Sequence, residues 1–593
     1  MKYPTLTEMQ VSRDWVDVFG GYNHNLRIND AEFYEMKNMT GDDYPTLSPR
    51  RQRGVYWSKT ENTNINGIIA KNKLCWVADG VLYINGKEIE GFKLDNGEKQ
   101  LITMGAYLII LPDKMYINTD NPDNSEDKGK IEAEFTSNEA TLEMTMLDDG
   151  TFGTVRKGIT PPTDEEIKAD IDKGKVPIWI DTSKKPNALK IYSTSNETWS
   201  QASTTYTKIT APGIHTQFEV GDGVEVSGLP KDQEHLNGYT TIASKGDNYI
   251  VIMGLISEVL NTQPITVKRT MPEMDFVVES NNRLWGCRYF EKDENGIPTK
   301  ALNEIYASKL GDFKNWRCYQ GTAMDSYAVT VGTDGEFTGA ATHLGYPIFF
   351  KENCMHKIYG NYPSNYQVQT TTRRGVQKGC EKSIATVNEV LYYKARSGVC
   401  AYDGSLPVGV SSALGDIAYN NAVAGTLGNK YYISMRDAGE TPHLFVYDTK
   451  KGMWHKEDNA DISAFENCQG DLYFINRDTN QIQTVGGTGK VDTNHVEWYV
   501  VTGTMGTDSP DKKYISKIDV RMLLQPGARV SFYAEYDSSG EWEHLFNMNG
   551  HSLKSFSVPV RPKRCDHMRL KIEGTGEIKI YSICKSIEWG SDK

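Results

Sequence analysis

A hairpin pattern recurs along this chain: two or three consecutive apolar residues, a short polar break, then a second strand that contains Tyr or another apolar residue. Its seven occurrences begin at Leu74, Leu108, Leu284, Ile348, Val390, Tyr431 and Leu472. From Ile348 through Leu391 and Tyr432 to Tyr473 the steps are 43, 41 and 41 residues. A period of this length is typical of β-propeller blades, because a four-stranded blade buries both faces only when neighbouring blades stack on it. The pattern predicts roughly six to eight blades.

The earlier steps are less regular, with 34 residues from Leu74 to Leu108 and 64 from Leu284 to Ile348. The alternative interpretation is therefore an assortment of unrelated antiparallel hairpins, since alternating strands occur in every all-β protein. A period held over four successive units favours the propeller.

Two stretches lie outside the repeat. The first contains strand signals such as 218–228 and 249–252 and one short helix predicted at 164–173, and the second alternates strands and turns over about 100 residues, the rhythm of a β-sandwich. We therefore predict an all-β chain with a β-propeller of about 6–8 blades, an inserted β-rich domain and a C-terminal β-sandwich. The predicted parts are an N-terminal arm and propeller entry (1–60), first blades (61–118), inserted domain (119–273), remaining blades (274–490) and sandwich (491–593).

The composition of the chain limits the classes of function that it can have. The 53 glycines and 33 tyrosines favour β-structure, and a net charge of −13 argues against a surface that grips nucleic acid tightly. Such a charge suits a wall that DNA passes without sticking. Nine cysteines without CxxC spacing predict buried free thiols of a protein made in a reducing cytoplasm. No secretory leader or membrane-spanning stretch is recognisable, so we expect no membrane insertion.

Three motifs suggest chemistry and are each better explained as structure. The stretch 486–490 (GGTGK) resembles a phosphate loop, but Val491 and Thr484 replace two of its required residues. The stretch 537–542 matches the sialidase Asp-box only in part, and 565–567 (Cys-Asp-His) lacks a second ligand pair. We therefore predict no catalytic residue, no metal and no cofactor.

Three runs carry a family resemblance. The first run, residues 20–39 and 43–50, shows a Gly-Leu-Asn-like turn, an acidic step, "x-N-M" and "Y-P-x-L-x-x-R". The second run is 281–286 with 305–312, and the third is 561–577. These runs resemble the packaged-DNA stabilisation proteins of tailed phages, the tail hub or nozzle of short-tailed particles. The 119–273 insertion departs from the pattern, which leaves its role open.

The resemblance implies a structural virion protein of the phage tail, assembled in the host cytoplasm. It implies a homo-oligomer, usually a hexamer, whose partners are the portal and adaptor proteins and other tail or fibre proteins. Packaged DNA is expected to pass through its channel without sequence-specific binding. No enzymatic residue comes with the family, so we predict that the chain is not an enzyme.

The arm offers one candidate docking site. Arg50, Arg51 and Arg53 are predicted to dock on the acidic face of an adaptor, and the alternative is a solvated turn before the first blade. Two other functions remain open. One is a tail-tip receptor-binding protein whose sandwich binds host glycan through Trp542 and Trp589, and the other is a propeller glycosidase, which the missing acid/base pair disfavours.

Overall fold

A computed structural model of the chain describes residues 11–59, 63–145, 147, 153–184, 187–202, 206–256, 259–293, 295–491, 495–507, 512–550, 553–560 and 563–589. Arg561 and Pro562, which begin the third run of the family resemblance, lie outside the described residues. The chain forms two compact units: residues 1–99, 349–355 and 370–593 make the first, and residues 100–348 and 356–369 make the second. Strands dominate both units, which confirms the predicted all-β class.

All seven predicted hairpins are present in the described chain, each as the second and third strands of its own sheet. In six of the seven sheets, strands that follow one another in the chain are neighbours. Four of these sheets belong wholly to the first unit. Three of the four have strands Ile65–Ala70, Leu74–Ala78, Val81–Ile84 and Lys87–Lys93; Ala385–Val387, Val390–Ala395, Gly398–Tyr402 and Val408–Gly409; and Asn420–Leu427, Lys430–Arg436, Pro442–Asp448 and Met453–Lys456.

Two further sheets belong to the second unit, with strands Gln100–Met104, Tyr107–Leu111, Met115–Asn118 and Lys128–Lys130, and Phe276–Ser280, Arg283–Lys292, Pro298–Ala307 and Tyr327–Thr330. Another four-stranded sheet consists of Gly339–His343, Tyr346–Phe350, Met355–Tyr359 and Gln367–Thr371.

Two-residue turns explain why the first hairpin of these sheets is so tight. The two residues between the first and second strands have positive φ in four sheets, at 281–282, 344–345, 388–389 and 469–470. Turns with both central residues left-handed match the twist of antiparallel strands. Asn and Gly adopt this conformation readily, whereas Leu344 and Glu389 adopt it at a steric cost.

The last hairpin sheet takes strands from two distant parts of the first unit. It contains Ile462–Cys468, Asp471–Asn476 and Gln481–Thr484, and Gly54–Ser58 pairs antiparallel with the third of these. Lys490–Val491 then pairs with the other edge of Gly54–Ser58. The strand that precedes the first hairpin sheet thus completes the last one.

The segment predicted as an insertion contains a closed six-stranded barrel in the second unit. Its strands, in barrel order, are Ala133–Thr145, Tyr206–Thr210, Tyr249–Met253, Gly238–Gly246, Gly223–Ser227 and Leu260–Arg269. A separate sheet comprises Gly153–Gly158, Val176–Asp181, Ala188–Ser193 and Thr198–Gln201. The predicted short helix is confirmed at Asp164–Asp172, where Thr163 and Glu166 form a capping box.

The N-terminal arm contributes strands to the C-terminal region of the first unit. Val11–Val16 pairs with Ile578–Trp589, in a sheet that also contains Lys513–Leu524, Leu553–Val558 and Arg564–Cys565. Gly21–Tyr22 and Glu32–Lys37 extend a second sheet, formed with Glu497–Thr502, Met568–Thr575, Arg529–Tyr536 and Glu543–Asn549. Met39–Thr40 pairs with Ser48–Pro49.

Burial follows the strand alternation in these two sheets. Along Lys513–Leu524 every second side chain is buried over most of the strand, so one face of that sheet carries the core.

The nine cysteines are all free and buried, which confirms the prediction made from their spacing. Short 3-10 turns occur at Ile214–Thr216, Lys231–Leu236, Pro363–Asn365, Glu381–Ser383 and Ser412–Leu414.

Candidate docking cleft around Arg50 to Arg53

The three predicted docking arginines lie on the short link between strands Ser48–Pro49 and Gly54–Ser58. The link runs beside Glu457 and Asp458, which directly follow strand Met453–Lys456. Because Gly54–Ser58 is paired on both of its edges in the last hairpin sheet, the arginines before it are held in place by backbone pairing.

Arg50 and Arg53 form an ion-pair cluster with the two acids. Arg53 Nη2 lies 2.8 Å from Glu457 Oε2, and Arg53 Nη1 lies 2.8 Å from Asp458 Oδ2. Arg50 Nη2 approaches Asp458 Oδ2 at 3.3 Å, and Arg50 Nε donates to Asn38 Oδ1 at 2.8 Å. The two guanidinium groups therefore share two carboxylates.

This cluster is largely shielded from water. The exposed fraction of the side chains is 14% for Arg50, 12% for Arg53, 5% for Glu457 and 18% for Asp458. Burial opposes ionisation of Asp458, but the charges of Arg53 and Arg50 outweigh it and hold the pKa of that carboxyl below its ordinary value. The two guanidinium groups and the two carboxylates therefore pair with one another inside the fold, although within the described residues the buried Arg53 Nε has no hydrogen-bond acceptor. The cluster is a structural arrangement.

Arg51 behaves differently from its two neighbours. It is exposed, and in the described part of the chain its guanidinium has neither a hydrogen bond nor an ion pair, although its carbonyl accepts a bond of 2.9 Å from Arg50 Nη1. Of the three predicted docking residues, only Arg51 presents its charge to solvent, while Arg50 and Arg53 are engaged within the fold. The docking role itself stays a prediction.

A cleft of about 440 Å³ opens at this link, within the first unit. Its lining contains six cations and three acids, in addition to neutral residues. The charged lining residues are Arg50, Arg51, Arg53, Lys430, Lys450, Lys451, Asp42, Asp448 and Glu457. On a chain of net charge −13 this cleft is a local concentration of positive charge.

Each acid of the lining already has a cation. Asp42 pairs with Lys430, Asp448 pairs with Lys451 at 3.1 Å, and Glu457 pairs with the buried arginines. Among the described residues, Arg51 and the exposed Lys450 form no ion pair, although the charge of Arg51 helps to lower the pKa of the Asp43 carboxyl. Two unpaired cations at the mouth of a cleft can bind a carboxylate or a phosphate.

The glycine-rich stretch 486–490 borders the same cleft, and the structure explains why it is not a phosphate loop. The N–H of Gly486 donates to Asp471 Oδ1 at 2.6 Å, and the N–H of Thr488 donates to Asp471 Oδ2 at 3.2 Å. An internal carboxylate therefore occupies the position that a phosphate takes in such loops.

The two tryptophans suggested for glycan binding are partly buried. The Arg569 guanidinium lies 5.9 Å from the Trp542 ring centre, and the Lys513 ammonium lies 5.3 Å from that of Trp589. Each ring thus already shares a face with a cation of its own unit.

Sequence reasoning missed the acids and lysines of the cleft. Glu457 is separated from Arg53 by 404 residues, and no spacing rule connects the two segments. Within the described residues no cluster of three or more His, Cys, Asp or Glu side chains could hold a metal ion, and no helix there has the length and apolar content needed to cross a membrane.

Comparison with known proteins gives structural likeness alone. No family model and no curated protein matches the chain. Similar solved structures include an exo-β-1,3-galactanase from Phanerochaete chrysosporium, 8% identical over 52% of this chain and 94% of that chain, with a TM-score of 0.21. A Bacillus subtilis family 43 arabinoxylan arabinofuranohydrolase is 8% identical over 52% and 94%, with a TM-score of 0.16. A Trypanosoma rangeli sialidase is 8% identical over 66% and 93%, with a TM-score of 0.22.

These neighbours correct one prediction. The chain was expected not to be an enzyme, yet the solved structures to which it is similar are glycoside hydrolases and a sialidase, which are enzymes. The prediction that the chain is not an enzyme is therefore contradicted. At TM-scores near 0.2 the likeness assigns no activity to this chain.

Proposed function

We propose that this protein is a tail hub or nozzle component of a tailed-phage virion. In this proposal it assembles in the host cytoplasm as a ring, most simply a hexamer, below the portal and adaptor. The ring extends the DNA exit channel and helps to retain the packaged genome. Other tail or fibre proteins attach to its outer surface.

The proposal includes a β-propeller built from the seven hairpin sheets. In the first unit, the inner strand Asn420–Leu427 contacts both Ala385–Val387 and Ile462–Cys468, and the latter contacts Ile65–Ala70. In the second unit, Phe276–Ser280 contacts the first strands of the sheets before and after it. First strands that pack side by side are what stacked propeller blades require.

The strand Gly54–Ser58 supports closure of that propeller. It precedes the first hairpin sheet in the chain and completes the last one. A strand from the beginning of a propeller that joins its final blade ties the two ends of the ring together and leaves fewer open edges.

The opening run that resembles the phage family is structural. Tyr22, Phe33, Met36, Met39 and Leu47 are each at most 2% exposed. These residues hold the arm against the C-terminal sheets, where the N–H of Leu47 donates to Ile580 O at 3.1 Å and the N–H of Ile580 donates back at 2.8 Å. The resemblance therefore rests on residues that form the fold, and this supports a shared architecture.

The observation that carries the proposal is the cleft beside this run. Its unpaired cations, Arg51 and Lys450, suit a carboxylate-bearing segment of an adaptor. The acidic remainder of the chain suits DNA that must slide, because a wall without clustered Lys and Arg does not hold phosphates.

The first experiment measures the particle formed by the purified chain, alone and with the portal–adaptor complex of its phage, by mass photometry and negative-stain microscopy. Six-fold rings, or six copies that cap the adaptor, support the proposal. A monomer that ignores the adaptor overturns it and favours a receptor-binding tail-tip protein.

A charge-reversal pair tests the docking cleft. The double variant Arg51→Glu/Lys450→Glu is expected to lose adaptor binding, since both changed side chains are exposed and their new charges repel an acidic partner. The matched control, Lys93→Glu/Lys554→Glu, changes the net charge equally at two exposed positions away from the cleft. Equal adaptor binding by both variants contradicts docking through this cleft.

A further inference from the structure

In the first unit two stretches lie next to each other, and neither of them contains a complete catalytic group on its own. The turn 537–540 follows strand Arg529–Tyr536, and Asp566 and His567 directly precede strand Met568–Thr575. The two strands are paired antiparallel, with Tyr536 opposite Met568. Ser538 Oγ consequently lies 2.7 Å from His567 Nε2, and His567 Nδ1 lies 2.9 Å from Asp566 Oδ2.

The partners of the imidazole assign its proton. A carboxylate only accepts hydrogen bonds, so His567 Nδ1 carries the hydrogen and donates it to Asp566. Nε2 is then the acceptor for the Ser538 hydroxyl. The hydrogen bond from His567 holds the pKa of Asp566 below its ordinary value, which keeps that carboxyl ionised at neutral pH. The hydroxyl, the imidazole and the carboxylate are thus hydrogen-bonded in series, as they are around an activated serine nucleophile.

The backbone fixes this order. Asp537 and Ser538 both have φ of 52°, in the left-handed region that costs energy for residues other than glycine. Asp537 Oδ1 accepts the N–H of Asp566 at 2.7 Å and that of His567 at 3.3 Å. The N–H of Asp537 donates to His567 O at 3.0 Å. Three hydrogen bonds therefore lock the turn that holds the serine to the loop that holds the histidine.

The surroundings of Ser538 define what it can attack. Residues 537–540 are exposed, so the hydroxyl is reachable from solvent, and a long acyl chain attached there would remain largely in water. The amides of Ser539 and Gly540 donate to Tyr536 O at 3.1 Å and Glu535 Oε1 at 2.8 Å. Within the described residues the amide of Ser538 donates no hydrogen bond, which leaves it for an oxyanion.

We propose that Ser538, His567 and Asp566 form a hydrolytic site for solvent-exposed carboxylic esters with a short acyl group. Ser538 Oγ bonds to the ester carbonyl carbon while His567 Nε2 takes the hydroxyl proton, and the oxyanion accepts the Ser538 N–H. The carbon–oxygen bond to the alcohol then breaks, and the alcohol leaves with the proton from Nε2.

Water completes the cycle. His567 Nε2 takes a proton from water as its oxygen bonds to the acyl carbon, and the bond from that carbon to Ser538 Oγ breaks. Ser538 recovers the proton from Nε2, and a carboxylic acid is released. The balance is one ester and one water to one acid and one alcohol. Asp566 acts as a positioning residue, because it orients the imidazole and stabilises its charged form without touching the ester.

Two measurements on the full chain test the site. A fluorophosphonate probe followed by peptide mass spectrometry is expected to modify Ser538, and p-nitrophenyl acetate is expected to be hydrolysed with a burst of p-nitrophenol. Ser538→Ala should remove the labelling and lower kcat/KM for the ester by at least about 100-fold. Ser539→Ala is the matched control, since Ser539 neighbours Ser538 on the same turn and lies outside the triad.

Each outcome of these measurements either supports the proposed hydrolytic site or overturns it. Labelling of Ser538 that disappears in His567→Gln, while the thermal midpoint is unchanged, supports the proposal. An unlabelled Ser538 in the folded chain, or ester hydrolysis equal in Ser538→Ala and Ser539→Ala, overturns it. Ring assembly with the portal and adaptor is measured separately, so either proposal can fail without the other.

Discussion

Arg53 and Ser538 both lie in short connections between strands. The Arg53 guanidinium is buried, however, whereas the Ser538 hydroxyl is exposed to solvent. Arg53 is 12% exposed and donates to two carboxylates of its own chain, while Ser538 is exposed and its hydroxyl bonds to an imidazole at the surface. Charges that are paired and buried stabilise a fold only while the pairing is complete. Groups that remain in solvent add little stability and stay available for chemistry.

The contrast also appears in backbone strain. The arginine link leads directly into the paired strand Gly54–Ser58, whereas the serine turn places two consecutive non-glycine residues at positive φ. Strain of this kind persists only where the surrounding structure over-determines it. The three bonds between Asp537 and the 566–567 loop supply that constraint.

The largest expected effect comes from Arg53→Ala. Removing this guanidinium leaves Glu457 and Asp458 with only Arg50, so we expect the free energy of unfolding to fall by about 3 kcal/mol. The matched control is Arg51→Ala, two residues away and exposed, which should change it by less than about 0.5 kcal/mol. Urea unfolding of both variants measures the difference. Equal losses contradict the division of the three arginines into buried and free ones.

The pH dependence of stability sharpens the comparison at a buried histidine whose charged neighbours line the same cleft. His455 is 2% exposed, and burial, reinforced by the charge of Lys430, lowers its pKa from 6.5 to about 4. Because the unfolded chain binds this proton first, stability is lost as the pH falls from 6.5 towards about 4. The slope from this one group is at most about 1.4 kcal/mol per pH unit.

The variant His455→Phe removes that slope. Chemical unfolding at pH 7 and pH 5 should show a smaller difference for His455→Phe than for the unchanged chain. His544→Phe is the control, because His544 is exposed on strand Glu543–Asn549. An undiminished slope in His455→Phe shows that other groups control acid stability.

Sequence reasoning worked where the determinant is local. The apolar pattern located all seven hairpins, the short helix predicted at 164–173 forms at Asp164–Asp172, and the cysteine spacing predicted buried thiols. Each of these depends on residues within one strand, turn or helix.

The rest depends on pairing between distant strands, which no local pattern encodes. The register that places Tyr536 opposite Met568 brings Ser538 to His567 across 29 residues, and strand Gly54–Ser58 brings Arg53 to Glu457 across 404. The turns at Leu344 and Glu389 were equally unpredictable, since neither residue type favours positive φ. Both polar clusters therefore emerge only with the sheet topology.

A smaller effect of opposite sign is expected for Ser538→Gly. Glycine adopts φ of 52° without a Cβ clash, so this variant should gain up to about 1 kcal/mol of stability. It should also lose all fluorophosphonate labelling, since the hydroxyl is absent. Thermal unfolding measures the gain, and Ser539→Gly is the comparison. A loss of stability in Ser538→Gly indicates that the bond to His567 outweighs the backbone strain.

Asp566→Asn should affect stability least and still separate the two regions. Its side chain is half-exposed, so we expect the free energy of unfolding to change little, in contrast to Arg53→Ala. An amide can donate as well as accept, so it no longer fixes the tautomer with hydrogen on His567 Nδ1. We therefore expect a lower kcat for p-nitrophenyl acetate at unchanged KM, because the ester does not touch this residue. A merely structural Asp566 leaves kcat unaltered, and that result places the carboxylate outside the chemistry of the turn.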